Sequence, residues 1–260
     1  MLEDILKNKE KEVQKLKKEI DWSGAIHSCT ETTKKRGFMQ SLKNKVLDGK
    51  TAIIAEIKRH SPSKGYLDKN LNLKSVAEQY ERAGAACISV LTDQEYFKGS
   101  LNDLVDVKKF TTLPVLRKDF IIDEVQIVDS EMHGADCVLL IIAALNKTKF
   151  RDLHQLSTSF GLDVLVEVHD IKELDIALEN DCQLIGINNR NLKTFNVSLQ
   201  TSIELCSALN NKDIFLVSES GIMNKTDIET LKEYGIQAFL IGEKLITSQN
   251  REKDLIELIK

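Results

Sequence analysis

The sequence predicts an α/β fold, a (β/α)8 barrel preceded by a helical extension. Two observations carry that expectation. From Ala52 onward eight short apolar runs recur, their first residues 21 to 35 positions apart. Each interval leaves room for one amphipathic helix, as parallel strands joined by crossovers require. In addition, no G-x-G-x-x-G follows the first run, so the usual marker of the rival doubly wound open sheet is missing. Eight strand–helix units then favour the closed TIM barrel.

The elements follow in order. Residues 2–20 set Leu2, Ile5, Leu6, Val13, Leu16 and Ile20 near one stripe among Lys and Glu, the pattern of a surface helix. Residues 21–50 mix Gly, Ser, Thr and Lys with a second short helical pattern, and Trp22 reads as packing within this segment. The chain, 1–260, thus reads as a single barrel domain of which 1–50 is an N-terminal helical extension. The strand runs are AIIAEIK (52–58), CISVLT (87–92), PVLRKDF (114–120), CVLLII (137–142), DVLVEV (163–168), LIGINN (184–189), IFLVSES (214–220) and AFLIGE (238–243). Helices are expected over Ser75–Ala83, Leu101–Phe110, Glu124–His133, Lys147–Phe160, Lys172–Asn180, Leu199–Leu209 and Lys225–Tyr234, with Lys244–Lys260 as the eighth. The phrases AGAACI, HGADCV and YGIQAF each put a glycine where a helix C-cap favours positive φ.

Bulk properties narrow the function. A net charge of −4, from 36 basic and 40 acidic residues, leaves no footprint for nucleic acid. No apolar run approaches the roughly 18 residues that span a bilayer. The opening MLEDILKNKE lacks the apolar stretch of a signal peptide. A cytoplasmic protein without a membrane partner is expected, as a monomer or weak homo-oligomer. The five cysteines are odd in number and form no C-x-x-C, which argues against a disulfide framework or zinc. The five histidines show no metal-ligand spacing, so neither metal nor other cofactor is expected. His169, after the fifth run, is expected to cap the next helix or face solvent.

Strand periodicity locates candidate chemistry. Side chains alternate with period two, so Ala52, Ile54, Glu56 and Lys58 share one face. Leu116 and Lys118 end the third run alike, as do Leu165 and Glu167 in the fifth, Leu184, Gly186 and Asn188 in the sixth, and Val217 and Glu219 in the seventh. Apolar residues fill the lower part of each face and a polar one usually finishes it. One such pair alone reads as a buried ion bridge. Five strands ending this way converge at the C-terminal mouth, where barrels of this class carry their active sites. Gly221 in SESGI and Gly242 in IGE stand after the last two strands, the usual position of a barrel phosphate site. A small phosphorylated ligand is therefore expected.

These residues also resemble a known family. IIAEIKRHSPSKG (53–65) is similar to the signature of indole-3-glycerol-phosphate synthase, with E-x-K and then S-P-S at fixed spacing. AGAACISVLTD (83–93), YFKGS (96–100), LRKDFIID (116–123), LLIIAALN (139–146), LVEVHD (165–170), IGINNRNL (185–192), VSESGI (217–222) and FLIGEKLI (239–246) extend the likeness over nearly the whole chain. The resemblance implies a cofactor-free carboxy-lyase of tryptophan biosynthesis. It would close the ring of 1-(2-carboxyphenylamino)-1-deoxyribulose 5-phosphate, release carbon dioxide and water, and give indole-3-glycerol phosphate.

By the same resemblance, Lys118 matches the general acid, whose pKa a neighbouring cation is expected to lower. Lys58 matches the partner of the substrate carboxylate, to which the resemblance also attaches a role in proton transfer, and Glu167 the main carboxylate for dehydration. Glu56 would position Lys58 or share in dehydration, Asn188 would hold reacting oxygens, and Glu219 and Ser220 would order the site. Phe120, Arg190 and Leu192 match the lining of the anthranilate side; Ser61, Gly221, Gly242 and Glu243 match the phosphate side. The sequence departs from the family at His60, at DKNLNLKS (68–75), at Glu124-Val125 and at Lys244. A related phosphosugar barrel, phosphoribosylanthranilate isomerase, would be expected to use a Cys/Asp pair instead of Lys118 and Glu167. An inactive binding barrel would not need this whole set of charged groups.

Overall fold

The computed structural model describes residues 1–19, 35–209 and 213–260. Trp22, His27 and Cys29 lie outside these residues, and with them the packing expected of Trp22. Helices α1 (Leu2–Glu19) and α2 (Phe38–Leu47) precede β1 (Ala52–Ile57). A small antiparallel pair follows, β2 (His60–Ser61) with β3 (Gly65–Tyr66). The remaining strands are β4 (Cys87–Leu91), β5 (Val115–Lys118), β6 (Cys137–Ile141), β7 (Asp163–Val168), β8 (Leu184–Asn188), β9 (Phe215–Glu219) and β10 (Ala238–Ile241). They pair in parallel with β1 in the closed order β1-β10-β9-β8-β7-β6-β5-β4. Each expected run holds one barrel strand.

The crossover helices are α3 (Leu73–Ala83), α4 (Leu101–Phe110), α5 (Glu124–Met132), α6 (Lys147–Ser159), α7 (Ile171–Glu179), α8 (Gln200–Ser207) and α9 (Lys225–Glu233). Side-chain caps fix many of their starts, because the first N–H groups of a helix have no internal partner. Asn72 accepts from Ser75 N at 2.9 Å, which supplies an entry to α3 despite the unusual DKNLNLKS segment. Asp123 and Gln126 form a capping box on α5. Gly84 ends α3 with φ 93°, the left-handed conformation that its position required.

One expectation fails. Lys244–Lys260 is not one helix but two, α10 (Glu243–Ile246) and α11 (Arg251–Ile259). The polar stretch Thr247-Ser248-Gln249-Asn250 breaks it, and Asn250 caps α11 by accepting from Lys253 N at 3.0 Å.

Strand alternation separates two apolar layers. Ala52 and Ile54 lie in an inner cluster with Leu116, Leu139, Leu165, Val217 and Leu240. Ile53, Ala55 and Ile57 pack outward with helix residues such as Tyr80 and Leu104. The two described helices of the extension serve opposite ends of the barrel. Phe38 and Leu42 of α2 join the inner cluster, and Met39 N donates to Asp163 Oδ2 at the start of β7, 3.0 Å away. Helix α1 instead reaches the C-terminal end. There Lys9 lies 2.9 Å from both Asp93, after β4, and Asp119, after β5.

Candidate active site

The C-terminal mouth holds a cavity of about 510 Å³. Every residue singled out from the sequence lines it: Glu56, Lys58, Ser61, Lys118, Phe120, Glu167, Asn188, Arg190, Leu192, Glu219, Ser220, Gly221, Gly242 and Glu243. The register explains this convergence. Asn188 pairs with Glu219 across β8 and β9, and Glu167 with Gly186 across β7 and β8, so the polar strand ends stand side by side.

Lys118 is the centre of charge. Its Nζ lies 3.1 Å from Glu219 Oε2 and 3.3 Å from Glu167 Oε2. Burial opposes its charge, but Glu219, Glu167 and Glu56 outweigh burial and hold the ammonium well above the usual lysine range. The expectation of a cation that lowers this pKa is therefore corrected. Lys58 does not press on Lys118; its Nζ is paired with Glu56 Oε2 at 2.5 Å. Burial would also raise Glu167, yet the Lys118 ammonium, with His169 and Asn188, holds it well below the usual carboxylate range. Glu219 goes the other way. Burial and the charges of Glu167 and Glu56 push it up to about 7, against the pull of Lys118. Two carboxyls on one lysine thus differ in proton affinity, the kind of division that acid–base chemistry exploits.

Asn188 is fixed from both sides. Its Nδ2 donates to Glu167 Oε1 at 3.0 Å and its Oδ1 accepts from Arg190 N at 3.0 Å. Arg190 donates in turn to Phe195 O at 3.3 Å, within a loop bridged between Arg190 and Val197. Phe120 stands beside Phe97, with ring centroids 6.1 Å apart. Ser220 and Gly221 are consecutive residues of positive φ, 67° and 83°. Buried Asn189 holds that turn by donating to Ser218 Oγ at 2.8 Å and to Ser220 O at 3.0 Å. Glu243 turns its carboxylate to Lys64, 2.5 Å away, and so ties the loop after β1 to the start of α10.

The departures from the family pattern also find places. His60 packs its ring on Tyr66 of its own loop and sets Nδ1 2.6 Å from Tyr96 O, in the segment after β4. Glu124 pairs with Lys149 at 2.6 Å. Lys244 lines the cavity with its Nζ 3.4 Å from Asp254.

Several contributors were missed. Met1, Leu2 and Ile5 of α1 line the cavity, although the stripe in residues 2–20 gave only an amphipathic helix and no docking site. Phe97 was present in YFKGS without a role. A Cβ on Gly186 would stand 2.2 Å from Glu219 Oε1, and one on Gly242 would stand 2.1 Å from Glu56 Oε2. Both glycines therefore leave room for inward carboxylates. His169 is neither the helix cap nor a solvent-facing residue. Asp170 caps α7, and His169 Nε2 lies 3.2 Å from Glu167 Oε1.

Comparison with known proteins gives a consistent result. Two solved barrels of low sequence identity show the fold alone. 3-Hexulose-6-phosphate synthase from Salmonella typhimurium superposes with a TM-score of 0.63 at 9% identity, covering 80% of this chain and 96% of that one. Thiamine phosphate pyrophosphorylase from Pyrococcus furiosus gives a TM-score of 0.56 at 14% identity, covering 80% and 93%. The sequence of indole-3-glycerol phosphate synthase from Bordetella pertussis is far nearer, 47% identical over 224 residues, 86% of this chain and 85% of that protein. The family model of indole-3-glycerol phosphate synthase matches residues 2–258. The chain belongs to the indole-3-glycerol phosphate synthase family.

Proposed function

We propose that the protein converts 1-(2-carboxyphenylamino)-1-deoxyribulose 5-phosphate to indole-3-glycerol phosphate in tryptophan biosynthesis. Family membership sets the reaction, and one observation carries it to these residues. A charged lysine, Lys118, stands between two buried carboxyls of unequal proton affinity in the cavity at the barrel mouth. Ring closure joins the aromatic carbon bearing the carboxylate to the ketone carbon. The ketone oxygen gains negative charge and needs a proton or a fixed cation. Lys118 supplies both, and a largely buried, preorganised cation is worth more there than in bulk water.

Lys58 binds the substrate carboxylate in this reading. It is held by Glu56 at the rim of the cavity, where an incoming carboxylate can share or replace that partner. Carbon dioxide then leaves, its bonding electrons remaining in the new ring system. The hydroxyl departs as water after protonation, and Glu167 serves that dehydration with Asn188 fixing its orientation. Glu219, pushed up to about 7, holds or releases a proton beside Lys118 near neutral pH. Phe120, Arg190 and Leu192 line the aromatic end. Ser61, Gly221, Gly242 and the backbone of Glu243 receive the phosphate, with Lys64 and Lys244 on the same rim. Residues 1–260 act as one catalytic barrel, because the extension of 1–50 contributes its first residues to the cavity wall. The four described cysteines are free and buried, which supports work in the reducing cytoplasm, as a monomer or weak homo-oligomer.

The test is a fluorescence assay for indole-3-glycerol phosphate with the synthetic substrate. Product formation supports the assignment. Folded protein that yields no product above background overturns it.

A further inference from the structure

His169 stands one step beyond β7 and continues its inward set, Leu165, Glu167, His169. Its ring lies between two carboxylates. Nε2 is 3.2 Å from Glu167 Oε1, and Nδ1 is 3.0 Å from Glu173 Oε2. The backbone N of His169 also donates to Glu173 Oε2 at 2.8 Å. Glu173 is itself anchored, its backbone N donating to the α7 cap Asp170 at 2.9 Å. A chain of contacts therefore runs from the start of α7, through Glu173 and His169, to the Glu167 carboxylate. A side chain that only joined strand to helix would have no need of the buried Glu167.

We propose that His169, anchored by Glu173, is a positioning residue of the active site that holds the Glu167 carboxylate in place, with Oε1 beside Asn188 and Oε2 facing Lys118. This inference rests on the proposed function, in which Glu167 serves dehydration. The Nε2 contact is an ion pair and not an aligned hydrogen bond, so the imidazolium holds the carboxylate in place by its charge. Among the described residues, the titratable and charged groups that face this ring are these. Glu167 comes from β7 and Glu173 from α7; beyond Glu167 stand Asn188 of β8, Lys118 of β5 and, behind Lys118, Glu219 of β9. The turn Ile142–Ala144, packed against β7 and α7, brings no charge. Burial opposes the imidazolium, but the two carboxylates prevail and push its pKa up to about 10. The positive charge is then present throughout the neutral range.

The test compares pH profiles of kcat and KM for wild type, Glu173→Gln and His169→Gln. Glu173→Gln removes one of the two carboxylates that hold the imidazolium. Its kcat should acquire an alkaline limb about 1–3 pH units below that of wild type, the usual effect of one neighbouring charge. His169→Gln should lower kcat about tenfold or more at all pH values, as a misplaced reacting group does, with KM within about twofold and without that limb. Profiles of wild-type shape in both variants, with only thermal stability reduced, overturn the proposal. NMR titration of the His169 ring separates this idea from the choice of substrate. A lower His169 pKa in Glu167→Gln than in wild type supports the contact even if wild type makes no product; an unchanged value overturns it.

Discussion

Gly186 makes room for Glu219. A side-chain carbon on Gly186 would stand 2.2 Å from Glu219 Oε1 and 3.2 Å from Leu165 Cδ1, well inside van der Waals contact. Among the described residues Glu219 Oε1 is buried without a hydrogen-bond partner, and its Oε2 is committed to Lys118 at 3.1 Å. Gly186→Ala must therefore displace the Glu219 carboxyl and disturb its contact with Lys118. Overpacking of this kind costs roughly 1–3 kcal/mol of stability, while a displaced reacting group costs on the order of 100-fold in turnover. Gly186→Ala is expected to fold, melt a few degrees lower and lose most of its kcat. A kcat near that of wild type would show that Glu219 need not sit where it does.

Lys118→Met should lower turnover by at least about 100-fold, the lower range for removing an acid–base group. The methionine keeps most of the unbranched apolar stem and removes the charge. It also leaves Glu167 and Glu219 facing each other without their shared cation. Glu219, already pushed up to about 7, should then titrate at still higher pH. Single-turnover kinetics and the pH dependence of the residual rate check both parts. Near-normal turnover would remove Lys118 from the mechanism.

Glu167→Gln tests the dehydration role by where the reaction stops. The amide is nearly isosteric and can still accept from Asn188, so ring closure should survive better than loss of water. Rapid-quench analysis should find a ring-closed species accumulating ahead of indole-3-glycerol phosphate. Steady-state kinetics unchanged from wild type would remove Glu167 from the dehydration step.

The barrel was legible because period-two alternation and glycine-ended helices are local signals. Ile54, Glu56 and Lys58 share a face by covalent geometry alone, and their convergence with Lys118 and Glu167 follows once eight strands close. Tertiary distances were not legible. The Glu56–Lys58 pair was already in the i, i+2 spacing, but that Lys118 is left to two carboxylates from other strands depends on side-chain reach, not on spacing. The same holds for His169, whose neighbour Asp170 took the capping role and freed the ring for Glu167. Gly186 resembled any small residue in a strand until the carboxylate opposite it had a position.

Lys9 carries a stability prediction. Its ammonium is buried against Asp93 and Asp119, 2.9 Å from each, and Glu12 approaches at 2.7 Å. Burial opposes that charge, but the aspartates overcome it and hold the lysine above its usual range. Removing one partner of a buried ion cluster leaves charge uncompensated and costs roughly 3–5 kcal/mol. Lys9→Met is expected to lose about that much in denaturant unfolding. Because α1 lines the cavity through Met1, Leu2 and Ile5, KM should rise as well. A loss under about 1 kcal/mol, the range of exposed pairs, would show that this contact does not hold α1 in place.

The pH dependence of stability offers a separate check on His169. Its pKa is about 10 in the folded protein, against 6.5 for a free imidazole. The folded state therefore binds the proton more tightly than the unfolded chain, and the sign follows from linkage. The contribution is fully present below pH 6.5 and is lost as pH rises toward about 10. His169→Gln cannot titrate at this position. The difference in Tm between wild type and His169→Gln should be largest below pH 6.5, shrink steadily through neutrality and level off near pH 10. Glu173→Gln should shrink the same difference and end it at a lower pH, because one of the two carboxylates is gone. Tm values measured from pH 5 to pH 10 in one buffer series decide the matter. A difference that stays constant with pH would mean that His169 contributes by packing, and that its charge is not held by Glu167 and Glu173.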